Sequence, residues 1–93
     1  MRYGTVYLDV EADEARRRIA DRCPGVRART LGDRTEYRTN AGYLLATLSE
    51  GVSPEGTEGS KLRYRTATIS GHHAHARRAA RRIREAVSEF EVD

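Results

Sequence analysis

Two hydrophobic periods run along this chain, and the points where one gives way to the other predict its elements. From Tyr3 to Val10 the positions alternate: Val6, Leu8 and Val10 fall on one face, and Tyr3, Thr5, Tyr7 and Asp9 on the other. That is the two-residue period of a half-buried strand. At Ala12 the period lengthens. Ala12, Ala15, Ile19 and Cys23 share a helical stripe, acids lead and arginines follow as the helix dipole favours, and Pro24-Gly25 stops the run. Residues 26–31 and 34–39 then flank Gly32-Asp33 as a hairpin, residues 40–42 turn the chain again, and 43–50 and 61–70 read as two more strands. Between these last two, residues 51–60 hold three glycines, one proline and a single large apolar side chain, Val52. Such a composition predicts a flexible loop.

The period changes once more at His72. From there to Phe90, residues His72, Ala76, Ala79, Ala80, Ile83, Ala86, Val87 and Phe90 fall within an arc of about 120°, with Ser70 placed as N-cap. The resulting order, β-α-β-β-β-β-α, predicts one α+β domain over residues 1–93. Its two layers are a curved antiparallel sheet of four or five strands and two helices, near 12–23 and 72–90, on one sheet face. This order and length resemble one repeat of the TATA-box-binding-protein fold, or a shortened helix-grip domain of the polyketide-cyclase type. The resemblance covers nearly the whole chain as topology. No residue motif of either family is present, so it assigns no functional residue. The first likeness implies a saddle assembled from two copies.

Composition narrows the picture. Val, Ile, Leu and Phe supply only 16 of 93 residues, a thin core of the kind that a partner subunit commonly completes. Sixteen arginines and one lysine against 14 acids leave a net charge of +3. Because the acids are interspersed along the chain, that margin permits nucleic-acid binding without demanding it. Cys23 is the only cysteine, which excludes an intrachain disulfide and fits a reducing compartment. The first dozen residues are too polar for a signal sequence, and no apolar run approaches the ~18 residues of a membrane span. A cytoplasmic, non-membrane protein is expected.

Candidate chemistry is sparse. There is no nucleophile–base pair, close carboxylate pair or cofactor motif, and Gly59-Ser60-Lys61 reverses the order of a phosphate loop. A non-catalytic protein without a cofactor is expected. His72 and His75 are spaced to share a metal, but two imidazoles without cysteine make a poor zinc set, so no metal site is expected either. Two surfaces remain. Arg77, Arg78, Arg81, Arg82 and Arg84 form a ridge on the second helix, with Glu85 in reach of Arg81 and the end at Arg77 and Arg78 left basic. Tyr3, Tyr7, Tyr43 and Tyr64 line one sheet face with Thr5, Thr47, Thr66 and Thr68, opposite Val6, Leu8, Leu44, Leu48, Ala67 and Ile69, while Tyr37 suits either side. That face is suited to water, to a second copy or to nucleobases. Arginines beside tyrosines, Arg63 and Arg65 among them, favour the last. The leading reading is a protein-interaction module, homodimeric through its sheet with Tyr3, Tyr7, Tyr43 and Tyr64 as interface. The alternative binds DNA or RNA through Arg77, Arg78, Arg81, Arg63 and Arg65.

Overall fold

The alternating stretches pair into one sheet, and the two amphipathic stretches lie on it as helices. The structure, a computed structural model, describes residues 2–67 and 74–92. In chain order the elements are β1 (Arg2–Leu8), α1 (Ala12–Arg22), β2 (Arg27–Leu31), β3 (Arg34–Arg38), β4 (Leu44–Val52), β5 (Glu58–Ala67) and α2 (Ala74–Ala86), followed by a short 3₁₀ turn (Ser88–Phe90). All ladders are antiparallel, in the spatial order β1-β5-β4-β3-β2. The first strand therefore sits at an edge, against the last. The α+β class and the element order are those the two periods predict. His72, His73, Ser70, Thr68 and Ile69 lie outside the described residues.

The stretch 51–60 departs from expectation. Gly51 pairs with Gly59 and Val52 with Glu58, so the β4–β5 ladder takes up most of it and only residues 53–57 turn. That turn repeats the one before β4. In each, the peptide N–H three residues after a hydroxyl residue donates to that residue's carbonyl: Gly42 to Thr39, and Gly56 to Ser53. The next N–H donates to the hydroxyl itself, Tyr43 to Thr39 Oγ1 and Thr57 to Ser53 Oγ. Gly42 and Gly56 take φ of 94° and 92°, left-handed values that side chains disfavour.

The core lies between the sheet and both helices. Leu8, Ile19, Tyr37, Leu45, Leu48, Leu62, Ile83 and Val87 fill it, and Ala12, Ala15, Ala46, Ala76, Ala80 and Ala86 let the helices approach the strands closely. An irregularity in the β3–β4 ladder leaves Leu45 without a direct partner, and Leu45 is fully buried in place of the expected Leu44. The N-terminus of α1 is capped from a distance: Glu50 Oε1 on β4 accepts from the Ala12 N–H at 3.0 Å. After α2 the chain returns along the free edge of β1. Asp9 N–H donates to Phe90 O, and Val92 N–H to Tyr7 O. Those bonds occupy part of an edge that would otherwise offer unpaired backbone groups.

Candidate nucleic-acid interface

Strand alternation sorts the charges that are mixed along the chain. Residues directly opposite in a ladder share a face, so the register defines rows on the side away from the helices. One row reads Thr5, Arg63, Thr47, Glu36, Arg29 and the next Tyr7, Lys61, Ser49, Arg34, Leu31. Arg38, ion-paired with Glu36 at 3.3 Å, and its ladder partner Arg27 extend the same face. Among the described residues, six solvent-accessible basic side chains, at 27, 29, 34, 38, 61 and 63, thus stand with one acid, Glu36, while Arg65, in register with Tyr3, is buried. A groove of about 410 Å³ lined by Arg27, Ala28, Arg29, Glu36, Arg38 and Thr39 runs along its β2–β3 side.

Eight other acids are engaged or line a separate cavity. Asp13 and Glu14 pair with Arg16 and Arg17 on α1, and Glu89 and Glu91 with Arg18 and Arg84. Asp9, Glu11, Glu50 and Glu58 line a separate cavity of about 560 Å³ near the C-terminal end of β1. No group of three or more metal-ligating side chains occurs among the described residues, and no described helix is long and apolar enough to cross a membrane.

The sequence-selected tyrosines do not share this face. Tyr3 and Tyr7 are on it, half-buried, and the Arg63 guanidinium lies over the Tyr3 ring at 4.8 Å. Tyr64 is on the helix side instead, in register with Gly4 and Ala46, with Arg84 over its ring at 5.0 Å. Gly4 leaves the space: a Cβ there would come within 2.9 Å of the Tyr64 ring. Tyr43 precedes β4, outside every strand, and is 40% exposed. Tyr37 points into the core at 2% exposure.

The arginine candidates divide as well. Arg63 is on the open face. Arg77, Arg78 and Arg81 are exposed on α2, on the opposite side of the sheet, and Arg65 is buried near the end of β5. The pairing of Arg81 with Glu85 does not occur among the described residues; the helix ion pair at this end is Arg84 with Glu91, 3.1 Å apart. Sequence reasoning missed Arg27, Arg29, Arg34, Arg38 and Lys61. Their spacing by two within the strands was the available signal, since odd positions in β2 and even positions in β3 are almost all charged. Comparison with known proteins finds no matching family, no matching curated sequence and no matching solved structure.

Proposed function

We propose that this chain is a non-catalytic nucleic-acid-binding module that receives a single strand on the open face of its sheet. One observation carries the reading: among the described residues, six solvent-accessible basic side chains stand against a single acid on the face bearing Tyr3 and Tyr7. Cations spread over a flat sheet meet a phosphate backbone, and half-exposed tyrosines offer stacking to bases splayed from it. A duplex presents no unstacked bases to those rings. The competing interaction module needs two such faces to meet, and like charges oppose that unless an acidic partner intervenes. With Tyr64 turned inward, the face also loses apolar contact area.

The test is fluorescence anisotropy with labelled single-stranded and duplex oligonucleotides over a salt series. Tighter binding of the single strand is expected, with log K falling against log salt by roughly 0.7 per phosphate contact. Arg63→Gln should reduce that slope by about one contact, and Tyr7→Ala should weaken binding by about 1–3 kcal/mol. Absence of binding at low salt, or binding indifferent to both substitutions, would remove the reading.

A further inference from the structure

β2 ends the spatial order of the strands, and among the described residues no backbone hydrogen bond outside the β2–β3 ladder engages residues 27–31. The turn decides which of its backbone groups face outward. Two residues, Gly32 at φ 64° and Asp33, join Leu31 to Arg34, so Leu31 and Arg34 exchange ladder hydrogen bonds and every second pair after them does the same. Ala28 and Thr30 belong to the alternate pairs. The hydroxyls of Thr30 and Thr35, 3.1 Å apart, reflect the close approach of side chains in such pairs. The N–H and C=O groups of Ala28 and Thr30 therefore point away from β3, and both residues are exposed.

A cavity and a charge pattern accompany this edge. Ala28 and Tyr37, opposite each other in the ladder, face the helix side, and both line a cavity of about 170 Å³ between β2 and α1. Ile19 and Ala20 of α1, with Cys23 and Val26 beyond its end, form much of the wall. Arg16 also lines it, held by Thr35 Oγ1 at 2.9 Å. No carboxylate does, and the space holds about five waters at roughly 30 Å³ each, enough for one aliphatic side chain. On the open face Arg27 and Arg29 flank Ala28. The acids of the hairpin are Asp33 in the turn and Glu36, which Arg34 and Arg38 share. A strand added here sets the side chain opposite Ala28 over the cavity and the two beside it against Arg27 and Arg29. Those positions favour an aliphatic residue between two acidic ones. A second copy of β2 fits badly. With Ala28 opposite Ala28, each Arg27 meets an Arg29, and like charges directly opposite destabilise a ladder. Nucleic acid fits badly too, because phosphate oxygens accept hydrogen bonds and cannot satisfy outward carbonyls.

We propose that the free edge of β2 binds an extended acidic peptide segment by strand addition, with one aliphatic side chain of that segment seated between β2 and α1. The site is independent of oligonucleotide binding at Tyr7 and Arg63. The test uses the whole chain and a labelled, capped peptide, Ser-Thr-Glu-Leu-Glu-Thr-Ser, in fluorescence anisotropy at low salt. Saturable binding is expected, with the amide signals of Ala28 and Thr30 shifting in an NMR titration. Alanine in place of the peptide's leucine should weaken binding about tenfold, the effect of losing most of one buried aliphatic side chain. Methylating the leucine nitrogen removes the donor to the Ala28 carbonyl and should weaken binding about fivefold with the wild-type chain. Ala28→Pro removes an outward N–H and should act likewise. Arg63→Gln should weaken the oligonucleotide and leave the peptide unchanged. No binding at ~1 mM peptide overturns the proposal, as does binding indifferent to both changes at the leucine. A peptide-free dimer that Ala28→Pro dissociates assigns the edge to a second copy and also overturns it, as does oligonucleotide binding lost in Ala28→Pro without any peptide binding. Peptide binding in the absence of oligonucleotide binding upholds this site while removing the function proposed for the open face.

Discussion

The hydroxyl of Tyr37 is buried without a hydrogen-bond partner, although the Arg16 guanidinium and the Cys23 thiol stand close enough to influence its ionisation. Leaving such a group unsatisfied typically costs about 1–3 kcal/mol, whereas removing it with little change of shape is nearly neutral or stabilising. Tyr37→Phe should therefore raise the stability of the chain by about 1 kcal/mol in urea denaturation. Burial also pushes the Tyr37 phenol up to about 12 from an ordinary value of 10.0, with Arg16 opposing the shift. The folded state thus holds this proton more tightly than the unfolded state. Its contribution is fully present below pH 10 and is lost as pH rises towards 12. Tyr37→Phe should flatten the alkaline decline of stability across that window, and an unchanged decline would contradict this assignment. The same neighbourhood quiets Cys23, whose thiol burial pushes up despite the charge of Arg82. Neither effect is legible in sequence, because burial of one atom depends on elements distant in the chain.

At the scale of elements, the period changes at Ala12 and around His72 were sufficient to place both helices and to separate them from the strands. Ends were harder. α2 stops at Ala86, and the apolar stripe continues to Phe90 through a tighter turn whose ring lies under Arg18 at 4.6 Å. Residues 51–60 misled because glycine reads as flexibility, yet Gly59 serves close approach. A Cβ on Gly59 would sit 1.9 Å from Leu8 O, which is backbone and cannot swing aside. Gly59→Ala should destabilise the chain by about 3 kcal/mol in the same denaturation assay, by prising β5 from the end of β1. A loss below a few tenths would show that this end of the sheet is soft. The matching turns at Thr39–Tyr43 and Ser53–Thr57 were available to a reader of sequence as hydroxyl, two residues, glycine. The composition of the longer stretch hid the second.

For the whole molecule, the net charge of +3 understates the field that a ligand meets. Arginines of the helices pair Asp13, Glu14, Glu89 and Glu91, while the open sheet face keeps its cations. Two copies approaching through that face repel, so sedimentation equilibrium at low salt should give a monomer at about 100 µM, above the micromolar range of many specific contacts. A dimer under those conditions, lost on Tyr7→Asp, would return the sheet to a protein interface and revive the paired-saddle reading. Raising the salt weakens the repulsion and should if anything favour association, the reverse of its effect on nucleic-acid binding.

The sequence by itself determined the α+β class, the element order and the two helical stripes, because periodicity is a local property that the backbone geometry of each element imposes. It also determined which side chains could meet anions, as residue types. Only the tertiary structure decided how they were grouped. Ladder register put Arg63 with Arg29 and Arg34 and turned Tyr64 away from Tyr3 and Tyr7, and the packing of α2 over β5 brought Arg84 over the Tyr64 ring. A strand's alternation says which of its residues share a face, but not which face of the neighbouring strand they meet. A shift of one residue in register exchanges every side chain between the two sides, and that choice rests on the summed burial of the whole core.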